Sequence, residues 1–261
     1  MTKKYIALIY EGEKTEKQLV ANLNRIFFTD VSELVPIMFP AGENIYMLWQ
    51  QLKEDEFQTD LIEILREYNE EARRTLESFE RKDFMEIYLF FDYDGHQKNL
   101  QSRNADKDVI KEMLETFSEE TEFGKLYINY PMVESLRDNL PVNMEYCFRR
   151  CVVDFSEIGK YKRTVHEISY YQDFRKLTRE DWSSLCMNAL RKLNCIIRGT
   201  YEMPSRRYFK NEMSQKRLYE MQKEKYISGG KIAVINSCPL FILEYFKEDV
   251  WKSLIKCELP K

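Results

Sequence analysis

Apolar runs alternate with amphipathic segments along the first half of the chain. Four runs are rich in strand-favouring residues and read as buried strands, namely KYIALIY (4–10), LVPIMF (34–39), MEIYLFF (85–91) and KLYINYPMV (125–133). Helical spacing of apolar residues predicts the helices between them, at 15–28, 43–54, 59–80 and 107–117. The order β-α-β-α-α-β-α-β predicts an α/β fold in which helices flank a parallel sheet.

The pattern changes near residue 141, so we predict one domain over 1–140 and a second region over 141–261. Basic and aromatic residues are interleaved there in segments that read as helices, at 145–155, 179–198 and 214–226. One strand is predicted at 231–236 and a last helix from about Pro239. The second region is therefore expected to be mostly helical, with a returning strand that could rejoin the sheet.

The formal net charge of −4 conceals an uneven distribution. Residues 1–140 carry 17 Lys and Arg against 29 Asp and Glu, whereas residues 141–261 carry 23 against 15. An acidic half joined to a basic half suggests that the basic half holds a polyanion near the acidic one. Two well-solvated surfaces would explain the same numbers.

Two classes of protein are disfavoured by the sequence. No apolar stretch reaches the roughly 20 residues that a membrane-spanning helix needs, and the first residues do not resemble a signal peptide. The six cysteines form no C-x-x-C pair, which argues against a zinc site. We expect reduced thiols, a cytoplasmic location and no membrane partner.

Acidic residues follow three of the predicted strands. Glu11 comes after the first strand, Asp92 and Asp94 after the third and Glu134 after the fourth. Ligands of open α/β sheets bind beyond the carboxyl ends of the strands, so these acids are expected at one edge. Glu16 falls in the first turn of the following helix, as a helix-end acid or as a further ligand.

Carboxylates gathered at one edge would repel one another without a cation. Hard oxygen ligands suit Mg²⁺ or Mn²⁺ better than zinc, and such ions serve phosphoryl-transfer chemistry. Gly12 would let the backbone turn sharply and a phosphate approach closely. Each acid taken singly is ordinary in a turn, and neither a P-loop nor a dinucleotide-binding fingerprint is present.

Three short motifs carry a family resemblance. EGEKTE (11–16), FDYDGH (91–96) and YPMVE (130–134) resemble the Toprim domain. Within that family they are most similar to the stand-alone, OLD-like Toprim nucleases of phage-defence and abortive-infection systems. The resemblance covers about residues 3–135. It implies a Toprim-like sheet and a Mg²⁺- or Mn²⁺-dependent endonuclease that cleaves DNA or RNA, acting as a toxic antiviral effector.

The resemblance also assigns roles to individual residues. Glu11, Asp92 and Asp94 would be the metal-binding acids common to the domain, and Glu16 and Glu134 the extra acids of the nuclease branch. It further implies an ATPase partner encoded by a neighbouring gene, and it leaves a homodimer open.

Several other polar residues are candidates for work on nucleic acid. His96, two residues after the DxD turn, could act as a general acid or cap the turn. Nucleases of this branch often add a lysine from beyond the DxD region, and Lys160 or Lys162 could supply it. Cations contact phosphates and adjacent aromatic rings can stack on bases, so we predict nucleic-acid contacts at Lys160, Lys162, Arg163, Arg206, Arg207 and Lys210. Solvated helix faces are the competing explanation.

Two further functions remain open at this point. The chain could be a non-catalytic, Toprim-fold regulatory or binding subunit of a defence ATPase complex. It could also transfer phosphoryl groups on a small nucleotide, although the basic, aromatic second half disfavours that.

Overall fold

A computed structural model gives the fold of the chain. It describes residues 3–12, 14–28, 31–39, 45–68, 70–93, 108–141 and 151–255. The chain divides into two compact units, of which the first comprises Met1–Phe91 and Leu100–Tyr127, and the second Asp92–Asn99 and Ile128–Lys261. Residues 128–140, which the sequence placed with the first domain, are therefore grouped with the second unit.

A five-stranded sheet is the centre of the first unit. Its strands are β1 (Lys4–Glu11), β2 (Ser32–Phe39), β3 (Phe84–Asp92), β4 (Ser118–Glu119) and β5 (Gly124–Asn129). The spatial order is β2-β1-β3-β5-β4. β1 pairs in parallel with both β2 and β3, and β4 pairs with β5 in the antiparallel sense. The predicted α/β class is confirmed, with a mixed, mostly parallel sheet.

The centre of β1 explains why its sequence shows no polar alternation. The five residues from Ile6 to Tyr10 are all buried. A central parallel strand is covered on both faces, so both sets of side chains must be apolar. The strand reaches polar surroundings only at its ends, and at the carboxyl end it finishes with half-buried Glu11.

Helices of the first unit follow the predicted positions closely. They are α1 (Thr15–Phe27), α2 (Ile45–Glu54), α3 (Leu61–Tyr68), α4 (Glu70–Thr75) and α5 (Val109–Thr116), with 3₁₀ turns at Leu76–Ser78 and Arg81–Asp83. Residue 69, within the helix predicted at 59–80, lies outside the described residues. The side-chain amide of Asn24 in α1 exchanges two 2.9 Å hydrogen bonds with the backbone of Leu34 in β2, which fixes the helix against the sheet.

The second unit is largely helical, as predicted. Its helices are α6 (Ile158–Ile168), α7 (Arg179–Arg198), α8 (Arg206–Glu212), α9 (Gln215–Lys225), α10 (Cys238–Tyr245) and α11 (Glu248–Leu254). Short 3₁₀ turns lie at Val133–Arg137, Phe155–Glu157, Phe174–Lys176 and Ile227–Gly229. α6 and α8 were not predicted.

Local signals set the limits of α7. Thr178 and Asp181 form a reciprocal capping box at its start, which satisfies backbone N–H groups that have no partner within the helix. Gly199 ends it with a φ of +80°, a left-handed conformation that glycine adopts without steric cost. The helix predicted at 179–198 is therefore confirmed at both ends.

One predicted helix and one predicted strand need correction. The helix predicted at 145–155 is wrong over its last part, where Val152–Asp154 forms β6 and residues 145–150 lie outside the described residues. β-Branched valines fit a strand better than a helix. β6 pairs in the antiparallel sense with β7 (Lys231–Ala233), so the returning strand ends earlier than predicted. The continuing chain makes a single antiparallel bridge between Ile235 and Tyr130.

Two features of the described residues concern membrane spans and cysteine pairing. Over the described residues, no helix combines the length and the apolar character that crossing a membrane requires. The four cysteines in the described ranges are free thiols, at Cys151, Cys186, Cys195 and Cys238.

Candidate functional site

Glu11 and Gly12 form the turn that ends β1 in the first unit. The Glu11 Oε1 atom accepts a 3.1 Å hydrogen bond from the backbone N–H of Ile45, the first residue of α2. A carboxylate is favoured there because the N-terminus of a helix carries partial positive charge. Gly12 has a φ of +97°, so the sharp turn predicted from the sequence is confirmed.

Glu16 folds back over that turn. A Cβ atom built on Gly12 would lie 2.6 Å from Glu16 Oε1 and 2.9 Å from Glu16 Cδ. The space that the sequence assigned to an approaching phosphate is thus filled by a carboxylate. Burial, together with the nearby Glu16 carboxylate, raises the pKa of Tyr10. The turn therefore brings Glu16, which lies in the first turn of α1, next to the last residues of β1.

Asp92 is the last residue of β3, and both of its carboxylate oxygens accept hydrogen bonds within the second unit. The Asn129 amide donates to Oδ1 at 2.9 Å, and the backbone N–H of Val133 donates to Oδ2 at 3.1 Å. Two donors on different oxygens fix the plane of a carboxylate. The strand-end position predicted for Asp92 is confirmed.

Glu134 is not positioned as the sequence predicted. The fourth predicted strand, β5, ends at Asn129 instead of residue 133, and Glu134 lies in the 3₁₀ turn that follows. Only 3 % of Glu134 is exposed, and its Oε1 atom lies 2.6 Å from Lys162 Nζ. A buried carboxylate is costly unless a cation or hydrogen-bond donors compensate for the lost water. Lys162 is part of that compensation.

The structure distinguishes the two lysines that the sequence left as alternatives. Lys162 reaches Glu134, whereas Lys160 approaches Glu157 at 3.9 Å and is 76 % exposed. Both lie on α6 two residues apart, so their side chains leave the helix about 200° apart. Arg163 lies on the exposed side and pairs with Glu167 at 2.9 Å.

Arg137 is a buried cation that the sequence analysis missed. Its Nη1 atom donates to the carbonyl oxygens of Tyr171, at 3.1 Å, and Gln172, and its guanidinium lies 4.3 Å from the centre of the Phe174 ring. Burial lowers the pKa of Arg137, while the Glu134 carboxylate raises it. Arg137 follows Glu134 by three residues, but the sequence did not indicate that it is buried, because an isolated arginine in a turn is usually exposed.

The aromatic neighbours of the basic residues are less available than the sequence suggested. Tyr161 is buried and donates to Asp138 Oδ2 at 3.1 Å, and Phe209 is buried against Trp251 with ring centres 5.4 Å apart. The expectation that these two rings stack on bases is therefore wrong. Both lie on the apolar face of an amphipathic helix, which the core covers.

Two of the predicted contacts on α8 do face solvent. Arg207 and Lys210 are exposed, and Arg206 is half-buried. Residues three apart on a helix share one face, so Arg207 and Lys210 form one small basic surface.

A polar cavity of about 520 Å³ adds cations that the sequence analysis did not single out. Arg198, Lys216 and Arg217 line it together with Tyr208 and the acids Glu212 and Glu220. Arg217 pairs with Glu220 at 3.3 Å. The guanidinium of Arg198 lies 5.0 Å from the centre of the Tyr208 ring, a cation–π contact. Tyr208 is thus the one ring of the RRYFK segment (206–210) that borders this cavity, whose lining carries both cations and acids.

Two predicted site residues, Asp94 and His96, lie outside the described residues. Among the residues that the structure describes, no three His, Cys, Asp or Glu side chains lie close enough together to hold a metal ion. The metal ligation predicted for Glu11, Glu16, Asp92, Asp94 and Glu134 therefore stays a prediction.

Glu11, Asp92 and Glu134 differ in how well they fit Mg²⁺ or Mn²⁺. A carboxylate oxygen has two lone pairs, so each Asp92 oxygen can accept its hydrogen bond and still bind a cation. Asp92 and Glu11 both offer the hard oxygen ligands that these ions prefer. Glu134 differs, because Lys162 already neutralises its charge. The donor chemistry of Glu11 and Asp92 fits the ion, and Glu134 fits it less well.

Comparisons of the chain with protein-family models, with curated proteins and with solved structures each found no match.

Proposed function

We propose that the protein is a Mg²⁺- or Mn²⁺-dependent endonuclease that hydrolyses phosphodiester bonds of DNA or RNA. The observation that carries the proposal is that β1 and β3, parallel neighbours in the sheet, end in Glu11 and Asp92. These are the positions at which the EGEKTE and FDYDGH motifs resemble Toprim nucleases. Acids at the carboxyl ends of parallel strands lie where α/β proteins bind their ligands.

We propose Asp92 as a metal ligand. Its carboxylate is already held by the Asn129 amide and the Val133 N–H, so it does not need to be reoriented when a cation arrives. Groups held in position before reaction make electrostatic stabilisation effective. A bound Mg²⁺ or Mn²⁺ would supply activation of a water molecule and stabilisation of charge on the phosphate oxygens.

Lys162 is the cation that we assign to the scissile phosphate. Its ammonium group is held 2.6 Å from Glu134 Oε1 while 69 % of its side chain is exposed. A lysine anchored at one side and open to solvent on the other can donate to a phosphate oxygen without losing its anchor, because an ammonium group has three donors. Glu134 would then position Lys162.

The positive charge of the second half of the chain is the basis for proposing nucleic acid as the substrate. The second half of the chain carries 23 Lys and Arg against 15 Asp and Glu, and Arg207 and Lys210 are exposed on one helix face. Cations of this kind contact phosphates regardless of base sequence. We therefore propose cleavage without strong sequence preference. By the same resemblance, the chain is proposed to be the toxic effector of an antiviral system, working beside an ATPase.

The test uses the purified chain with plasmid, linear DNA and total RNA. We expect cleavage of at least one of them with Mn²⁺ or Mg²⁺ and none with EDTA. Asp92→Asn and Glu11→Gln should reduce cleavage to background while the circular-dichroism spectrum stays unchanged. Glu77→Gln is the matched control, since it removes the same charge from an exposed position and should cleave like the wild type.

Robust cleavage by an Asp92→Asn/Glu11→Gln double variant would refute the proposal. A stable complex with an ATPase whose function survives the same double variant would favour the alternative, a non-catalytic binding subunit. Failure to bind any oligonucleotide at low salt would instead favour phosphoryl transfer on a small nucleotide.

A further inference from the structure

Asn129, the last residue of β5, joins three separate parts of the second unit. It is only 2 % exposed. Its Nδ2 atom donates to Asp92 Oδ1 at 2.9 Å, its Oδ1 atom accepts from the backbone N–H of Ser237 at 3.0 Å, and its carbonyl oxygen accepts from the N–H of Tyr93 at 2.9 Å. Asn129 thus contacts both the side chain of Asp92 and the backbone that follows it.

The orientation of the Asn129 amide follows from its partners. Ser237 presents a backbone N–H, which can only donate, so the amide oxygen must face it. The NH₂ group then points to the carboxylate of Asp92. Ser237 is itself fixed, because its hydroxyl donates to the carbonyl oxygen of Ile128 at 2.5 Å. The Asn129 NH₂ group that reaches Asp92 is therefore oriented by Ser237, which lies 108 positions later in the sequence.

The second donor to Asp92 is fixed by the same segment. Val133 donates its N–H to Asp92 Oδ2, and its carbonyl oxygen accepts from Asn236 Nδ2 at 2.9 Å. Asn236 also donates to Ser135 Oγ at 3.2 Å and accepts from the N–H of Cys238 at 2.9 Å. The two donors to Asp92 are thus held by adjacent residues. Ser237 holds the Asn129 amide, and Asn236 holds the Val133 peptide group.

The choice of an amide matters for what Asp92 can bind. A lysine or arginine would orient the carboxylate but would also neutralise it, as Lys162 does for Glu134. The amide of Asn129 orients Asp92 and brings no positive charge of its own. Partners that orient a ligating carboxylate typically change metal affinity or activity 10–100-fold when removed.

We propose that Asn129 is a positioning residue that holds the Asp92 carboxylate ready for a divalent cation. Ser237 supports Asn129 itself, and Asn236 supports Val133, the second donor to Asp92. The inference rests on the proposed metal role of Asp92. It goes beyond that role because it assigns a function to buried amides of β5 and of the segment before α10.

The test measures Mn²⁺ binding directly by isothermal titration calorimetry of the full chain, independently of cleavage. Asn129→Ala should weaken Mn²⁺ binding by roughly 10–100-fold. Asn194→Ala is the matched control. Asn194 is an equally buried asparagine whose amide donates to the backbone oxygens of Thr200 and Glu202. Asn194→Ala should cost similar stability and leave the Kd for Mn²⁺ unchanged.

A second variant and a cleavage measurement separate positioning from folding. Asn129→Ser retains a short donor, so its Kd for Mn²⁺ should lie between those of the wild type and Asn129→Ala; this variant replaces Asn129→Ala if the latter does not fold. A merely structural role would lower the fraction of active protein without moving the Mn²⁺ concentration that gives half-maximal cleavage. We expect that concentration to rise with the Kd.

Different results would refute the positioning role of Asn129 and the proposed nuclease function. If the wild type binds Mn²⁺ and the Asn129 variants bind it within twofold of the wild type, the positioning role is refuted and the proposed function stands. If the wild type neither binds Mn²⁺ nor cleaves nucleic acid, the proposed function is refuted and the positioning role with it.

Discussion

Replacing Gly12 by alanine tests the geometry of the turn that ends β1. Gly12 has a φ of +97°, and an added Cβ atom would lie 2.6 Å from Glu16 Oε1 and 2.8 Å from Glu16 Oε2. Two separate costs follow. Alanine disfavours the left-handed backbone, and its methyl group displaces the Glu16 carboxylate.

Each cost has an expected size. A non-glycine residue with positive φ loses about 1–2 kcal/mol. The displaced carboxylate is the end of a flexible side chain, so it moves at a cost of about 0.5–1.5 kcal/mol. Together they lower the free energy of unfolding by about 1.5–3.5 kcal/mol, or the Tm by about 3–14 °C at roughly 2–4 °C per kcal/mol.

Two comparisons separate the costs. In a Glu16→Ala background the steric cost is gone, so Gly12→Ala should lose only the backbone cost. Gly199→Ala has a similar backbone cost, since φ is +80°, but nothing lies within 4 Å of its added Cβ atom. Gly159→Ala, on helix α6 with no positive φ, should stabilise the protein by about 0.5–1 kcal/mol.

Thermal unfolding followed by circular dichroism measures all of these variants. The expected coupling between Gly12→Ala and Glu16→Ala is about 1 kcal/mol. An equal loss from Gly12→Ala in both backgrounds would contradict the packing of Glu16 on the turn. A neutral Gly12→Ala would contradict the left-handed backbone itself.

Three further predictions concern the second unit. Lys162→Met removes the ammonium group that pairs with a buried carboxylate and should cost about 1–3 kcal/mol in urea unfolding, whereas Lys160→Met should change stability by less than about 0.5 kcal/mol; equal effects would contradict the pairing. Arg137→Met removes the donor to one buried and one partly buried carbonyl and should cost about 2–4 kcal/mol, and a loss below about 1 kcal/mol in the same assay would contradict that role. The hydrogen bond from the Arg175 side chain is the main cause that lowers the pKa of Asp173 from 3.8 to about 2, so the stability from this pair is complete above about pH 4 and is lost as the pH falls to about 2. Acid unfolding should show a smaller loss over that range for Arg175→Gln, and an unchanged profile would contradict the assignment.

Much of the fold was predictable because its signals are local. The apolar run that became β1 has no polar alternation, since a central parallel strand is buried on both faces. α7 was predicted at its observed limits, and in the structure a capping residue begins it and Gly199 ends it. The error at Val152–Asp154 arose where the pairing partner, Lys231–Ala233, is distant in sequence.

For the candidate site, the sequence determined which acids follow β1 and β3, and it supplied the motifs behind the proposed chemistry. Only the tertiary structure decided what holds those acids. Asn129 reaches Asp92 across 37 residues and Ser237 reaches Asn129 across 108, and helical geometry turns Lys162 but not Lys160 toward Glu134. A one-dimensional pattern records periodicity and turn chemistry over a few neighbouring residues. Hydrogen bonds and ion pairs between distant residues depend on the packed chain, and these set the orientation and the charge of each carboxylate.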